Sequence, residues 1–528
     1  MSCLRRLFIA LPVFLCLSCA EKNEVTVDAP AGVIKGSEID GVQRFLGIPY
    51  AETTAGKNRW RPPVPLKPFA DVFHADSFGP WCPQFDNDRR DEGRIYSGEG
   101  WTVFLGVPPN EDSNEDCLSL NIWAPIVSNT KNPVMVFLHG NALGSSYPAY
   151  DGTAFAQDGI VMVSINFRLH TMGNFAHPAI TEEADSTQAL VRYTEMDQLE
   201  ALRWVQENIS AFSGNPADVT LVGSSNGGAG ILQMLSNRDA RGLFHKAVVQ
   251  SGNGWWDPVT LEQNERFGCL LASNAGLEGC NATSEELRAL AWHKYPVTGP
   301  YGIDDRSTER GATQSIADGM VMDIPLLIGW NDFDGSSLRY SPEHVVSTTH
   351  HDVLATYSKE EFENEEALAH SIYTDLHSGA PARWVAHQLE EGAPTYLYLF
   401  SYVLSSERGE VKGAAHAYEL PHVFDSWDGL LPPIIGSFFV NDEDRLMTDF
   451  MHACWVSFIK NGSPSCPNSP EWPRYERSTD QLMRLDIHPE VVSGFRNEHL
   501  DAHEHALDHY LGLSQQSIET LLNDGIGD

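Results

Sequence analysis

The sequence predicts an α/β protein: one large, mostly parallel central sheet with helices on both faces. Three observations carry this. Short runs rich in Val, Ile and Leu recur along the chain and read as strands buried on both faces, as parallel strands are. Helical patterns separate these runs, and that alternation is the mark of a parallel sheet covered on both sides. No repeat, low-complexity linker or like-charge block divides the 528 residues, so one large unit is compatible with the length.

Taken in order, the first element is an export signal. Arg5 and Arg6 precede "LFIALPVFLCL", an apolar core too short to span a membrane as a free helix. "SCAE" follows and leaves two readings open. Cleavage after Ala20 fits the small residues Ser18 and Ala20, or Cys19 is a lipoprotein cysteine. We read residues 1–19 as a lipoprotein-type signal and 20–528 as a single unit. That places the protein in the periplasm or cell envelope, attached to a membrane through a lipid on Cys19, with secretion as the alternative.

The strands come next: "PVMVFLH" (133–139), "IVMVSINF" (160–167), "VTLV" (219–222), "AVVQS" (247–251), "IPLLIGW" (324–330) and "TYLYLFSY" (395–402). Between the second and third, "MDQLEALRWVQENISAF" puts Leu199, Leu202, Val205, Ile209 and Phe212 on one helical face. The acid-rich stretch 341–391 reads as helical, a cap over the active end of the sheet.

Acidic residues number 72 against 35 basic, a formal charge of −37. Such a surface repels phosphates and excludes a nucleic-acid partner. It is a solvated acidic surface, or a field that draws cationic substrates; the first reading needs less. Outside the signal stand six cysteines: Cys82, Cys117, Cys269, Cys280, Cys454 and Cys466. An even number in an exported chain points to disulfides, with fifteen connectivities open.

The chemistry gathers at "VTLVGSSNGGAG" (219–230). Gly223, Ser225 and Gly227 satisfy G-x-S-x-G. The glycines let a strand turn sharply into a helix and clear space around a serine presented at the edge of the sheet. Ser225 is the candidate nucleophile. A serine needs a base to take its proton and a carboxylate to orient that base, in the chain order Ser, acid, His. "GWNDFDGSS" offers Asp332 and Asp334, and "GAAHAYELPHVF" offers His416 and His422. Spacing alone does not choose among them.

Several ordered motifs together resemble the type-B carboxylesterase/lipase family of cholinesterase-like α/β-hydrolases. They are "FLGIPYAETTAGKNRWRPPVP", "EDCLSLNIWAP", "FSGNPADVTLVGSSNGGAG", "IPLLIGWNDFDG", "GAAHAYELPHVF" and "WVSFIKNGSPS" with "WPRY", spread from about 34 to 475. The resemblance implies the α/β-hydrolase fold, with 20–528 as one catalytic domain. It also implies Ser225 as nucleophile, Asp334 as acid and His416 as base, leaving Asp332 a structural turn residue and His422 a packing residue. The family usually has Glu where Asp334 stands, one methylene longer. In place of its glycine run this chain has "HGNALGSS", so the matching oxyanion amides belong to Asn141 and Ala142, with Asn226 as the third donor. Ser224 and Asn226 replace the usual Glu and Ala beside the nucleophile. The resemblance further implies disulfides Cys82–Cys117 and Cys269–Cys280; Cys454 and Cys466 have no clear counterpart.

The implied activity is hydrolysis of carboxylic esters, with short-to-medium acyl or aryl groups, through an acyl-enzyme, with no metal or organic cofactor. Trp255 and Trp256 are placed by the resemblance to line the acyl pocket. Trp101 resembles the tryptophan that holds the choline cation in cholinesterases, which keeps a choline-ester reading open. A different class is also open. Some relatives have lost catalysis and act as adhesion or interaction proteins, but those lack a triad member and this chain has all three.

Overall fold

The computed structural model describes residues 23–84, 113–126, 131–140, 144–184, 190–252, 255, 259–291, 311–338, 340–427 and 440–511. Its centre is a 13-stranded sheet. The amino-terminal strands are β1 (Asn23–Ala29), β2 (Gly32–Ile39), β3 (Val42–Pro49) and β4 (Phe73–His74), followed by β5 (Ser119–Pro125). Then come β6 (Asn132–Leu138), β7 (Val161–Ile165), β8 (Gly214–Ser224), β9 (Lys246–Gln250), β10 (Leu326–Asn331) and β11 (Thr395–Phe400). β12 (Gln481–Leu485) and β13 (Glu490–Ser493) close the edge.

The order across the sheet is β1-β2-β3-β5-β7-β6-β8-β9-β10-β11-β12-β13, with β4 beside β2. From β7 to β12 every neighbouring pair is parallel. The six runs expected as parallel strands form β6 to β11. The amino-terminal strands and β5 add an antiparallel edge that the search for continuous apolar runs does not reveal. β1 shows why: it is half exposed and alternates "NEVTVDA", whereas β7 is buried throughout.

The period of two along each strand divides the core between the two faces. In β6, Val134, Val136 and Leu138 pack in one cluster, and Met135 and Phe137 in the other. Helices cover both. α1 (Tyr193–Asn208) continues into a 3-10 turn at Ile209–Phe212. The expected stripe holds: Leu202, Val205 and Ile209 are fully buried, and Leu199 and Phe212 nearly so. α2 (Asn226–Ser236) follows β8 directly, and α3 (Leu261–Asn274) begins with a capping box from Thr260 and Gln263.

The stretch 341–391 is helical as expected. α4 (Glu365–Thr374) packs on the turn Asp334–Ser337, at the end of β10. α5 (Ala380–Leu389) instead lies along β10 and β11, so the carboxyl-terminal part of this stretch covers a face rather than the end. α6 (Asp442–Asn461) starts at an Asn441–Asp444 capping box and stops at Gly462 with φ 72°. α7 (Asn497–His505) packs on α5. Three disulfides are formed: Cys82–Cys117, Cys269–Cys280 and Cys454–Cys466. Among the described residues no helix is long and apolar enough to cross a membrane.

Candidate active site

Ser225 sits between β8 and α2 with φ 56° and ψ −125°. A residue with a β-carbon reaches positive φ only at a cost of about 1–3 kcal/mol, which the surroundings must impose. The imposing contacts are glycine contacts. A β-carbon on Gly227 would lie 2.1 Å from the Leu138 carbonyl oxygen, and one on Gly223 2.6 Å from the backbone of Gly227. Strand and helix therefore cross too closely for any other residue. The Ser225 N–H donates to the Gln250 carbonyl at 2.8 Å, which anchors the turn to β9. Asn226 opens α2, so its N–H has no intrahelical acceptor.

β10 delivers the acid. Asp334 follows it in a 3-10 turn and is 2 % exposed. Its Oδ2 accepts the Asn331 N–H at 3.2 Å. The turn is pinned from behind, where the Gly335 N–H donates to Thr374 Oγ1 on α4 at 2.8 Å.

The histidine arrives on a loop laced to that same turn. The Ala414 N–H donates to Asp332 Oδ1 at 2.7 Å, and the His416 N–H to Ser336 Oγ at 2.8 Å. The Phe333 N–H donates to the Ala414 carbonyl at 3.0 Å. Asp332 is thus the turn residue expected of it. Burial among the wall atoms pushes its carboxyl up to about 7, against the pull of the Ala414 N–H.

These elements bring the three expected residues into one line. His416 Nε2 lies 2.9 Å from Ser225 Oγ, and His416 Nδ1 lies 2.8 Å from Asp334 Oδ1. With Nδ1–H donating to the carboxylate, Nε2 is the acceptor that faces the serine hydroxyl. Such an array can move a proton off Ser225 and hold the resulting imidazolium beside an anion.

The neighbours are now assignable. His422 is fully buried, bonds Thr448 Oγ1 at 2.9 Å and is pushed by burial down to about 3, a neutral packing residue as expected. His139 ends the β6 segment beside Gly140; burial lowers it to about 4 and its ring stacks on Phe167 at 4.5 Å. Ser224, in place of the usual Glu, is buried with no hydrogen-bond partner for its hydroxyl. Trp255 is 8 % exposed and stands edge-on to Trp384 of α5 at 6.5 Å, so most of its surface is core. Asn141, Ala142, Trp101 and Trp256 lie outside the described residues. Among those described, His350, His351 and Asp352 are close enough to share a metal ion, and none of the three bonds to Ser225, His416 or Asp334.

Sequence reasoning missed Asn331, Gln250 and Glu419, which are fully buried around the line of three. Each has a local signal. Asn331 ends a strand, Gln250 precedes "SGNG", and Glu419 lies three residues past His416. What the sequence does not signal is that they touch.

A nucleophile elbow at the carboxyl edge of a parallel sheet, with histidine and acid in series behind it, defines a hydrolase of the α/β-hydrolase fold. The chain belongs to the carboxylesterase family, whose profile matches residues 23–295 and 330–503. It is a carboxylic ester hydrolase. It is 31 % identical over 482 residues to the para-nitrobenzyl esterase of Bacillus subtilis (strain 168), covering 86 % of this chain and 93 % of that protein. Phenmedipham hydrolase of Pseudarthrobacter oxydans is 29 % identical over 496 residues, again covering 86 % and 93 %. A solved PNB esterase superposes with a TM-score of 0.75 at 28 % identity, covering 90 % of this chain and 99 % of its own.

Proposed function

We propose that the protein cleaves short-to-medium acyl or aryl esters by way of an acyl-enzyme on Ser225. The carrying observation is the unbroken series from Ser225 Oγ through His416 to Asp334, at 2.9 and 2.8 Å. Ser225 Oγ attacks the ester carbonyl as its proton passes to His416 Nε2. The negative charge on the carbonyl oxygen is met by the N–H of Asn226 and, from the family resemblance, those of Asn141 and Ala142. His416 then protonates the departing alcohol. Water, deprotonated by His416, attacks the acyl carbonyl; the acid leaves and Ser225 recovers its proton.

The test is hydrolysis of p-nitrophenyl acetate, butyrate and octanoate by the wild type and by Ser225→Ala. A drop of at least about 10³-fold in kcat is expected for loss of the nucleophile. Equal inertness of both proteins overturns the reading and favours an interaction protein on the same fold. The choline-ester reading gains no support from Ser224, which lacks the charge of the usual Glu.

We further propose an exported protein, supported by the apolar amino-terminal segment and by disulfides that persist in oxidising compartments. Mass spectrometry of the mature amino terminus tests the lipid: a diacylated Cys19 is expected, and an unmodified start at Glu21 overturns it.

A further inference from the structure

Behind the line of three runs a second, fully buried line. Gln250 accepts the Ser225 N–H on its backbone carbonyl at 2.8 Å. Its side-chain Nε2 donates to Glu419 Oε1 at 2.9 Å. Glu419 Oε2 accepts from Asn331 Nδ2 at 2.6 Å. The same Asn331 nitrogen donates to the Ala415 carbonyl, the peptide before His416, at 2.7 Å. The Asn331 backbone N–H donates to Asp334 Oδ2 at 3.2 Å. Gln250, Glu419 and Asn331 are each 0 % exposed. Backbone groups of Gln250 and Asn331 thus hold the nucleophile's peptide and the acid's carboxylate, the Asn331 side chain holds the peptide before the base, and Glu419 joins the two residues.

We propose that Asn331 is a positioning residue for the reaction, with Glu419 as its anchor: its amide draws the His416 loop onto the Asp334 turn so that the short aspartate reaches the imidazole. Three arguments support this. First, Asn331 uses both protons of one amide nitrogen, on the histidine loop and on the carboxylate, while its backbone holds the acid. One residue thus meets the acid through its backbone N–H and the peptide before the base through its side-chain amide. Second, each Glu419 oxygen accepts an amide proton, so one buried carboxyl group bridges Gln250 and Asn331. Burial raises the Glu419 carboxyl; the Asn331 hydrogen bond opposes that, Asp334 adds to it and His416 opposes it. Third, a fully buried network is rigid only when its members are bonded to one another, so removing one loosens the rest.

The proposal rests on the Ser225–His416–Asp334 reading, and the experiment separates the two. Hydrolysis of p-nitrophenyl acetate is followed from pH 5 to 9 with the full chain as wild type, Ser225→Ala, Asn331→Ala, Glu419→Gln and Asn331→Ala/Glu419→Gln. Asn331→Ala is expected to lower kcat about 10–100-fold, the scale of an ångström of misplacement, with KM within about threefold. The acid-side midpoint of its kcat/KM profile is expected to fall, because an imidazolium held less closely by Asp334 gives up its proton more readily. Glu419→Gln keeps the shape, folds, and moves kcat and the midpoint in the same direction by less. The double variant is expected to be no worse than Asn331→Ala, since both changes cut one line.

An Asn331→Ala enzyme with wild-type kcat and midpoint overturns the proposal. Losses that multiply in the double variant also overturn it. If Asn331→Ala does not fold, Glu419→Gln decides alone: an unmoved midpoint with unchanged kcat overturns. An active Ser225→Ala sinks the underlying reading instead.

Discussion

Asp334 Oδ1 stands 2.8 Å from His416 Nδ1, so an aspartate closes a distance that the family usually spans with glutamate. The acid turn and the histidine loop that meet there are stitched by Asp332–Ala414, Phe333–Ala414 and Ser336–His416 bonds.

Asp334→Asn should therefore fail through the tautomer rather than through shape. An Asn amide facing Nδ1 favours the imidazole with its proton on Nε2, which cannot accept from Ser225. A loss of about 10³- to 10⁴-fold in kcat is expected, with little change in the melting temperature. Steady-state kinetics on p-nitrophenyl butyrate check it. A variant within tenfold of wild type would mean that Asp334 is not the orienting acid.

The candidate line was readable because its residue types are constrained locally. Gly223 is forced by the approach of α2 to β8 and Gly227 by its approach to the end of β6, and buried strands such as β7 leave continuous apolar runs. The antiparallel edge was not readable, because half-exposed strands like β1 carry a weak alternation that loops also show. Trp255 illustrates a third case. An aromatic after a strand suits a pocket or a core equally, and only its packing on Trp384 separates them. The Gln250–Glu419–Asn331 line was beyond reach for a different reason. Its members are 169 and 88 residues apart in sequence, and no local pattern encodes such a meeting.

Glu407 provides a pH-dependent prediction. It is 3 % exposed, Tyr418 donates to its Oε2, and its Oε1 has no hydrogen-bond partner. Burial pushes its carboxyl from 4.5 up to about 7. A carboxyl raised in the folded state favours folding while protonated, and that advantage is lost as pH rises through about 7. Glu407→Gln removes the titration. Its melting temperature should match the wild type near pH 4 and exceed it at pH 8, by a stability gain on the order of 2 kcal/mol. A melting-temperature series from pH 4 to 8 checks this. A difference that does not grow with pH would show that the carboxyl is not raised.

The three disulfides make the last prediction, because they close loops of different length. Cys82–Cys117 spans 35 residues, and Cys454–Cys466 spans 12. Loop-closure entropy makes the longer link worth about 4 kcal/mol and the shorter about 3. Cys82→Ser/Cys117→Ser should therefore lower the denaturation midpoint more than Cys454→Ser/Cys466→Ser. The shorter link has its own structural work, however. Cys454 is fully buried on α6 and ties that helix to the segment that follows its Gly462 stop. If the Cys454/Cys466 variant proves the less stable, burial of the α6 half-cystine outweighs chain entropy there, and the order set by loop length fails. Guanidinium unfolding of both double variants, read by tryptophan fluorescence, decides which effect wins.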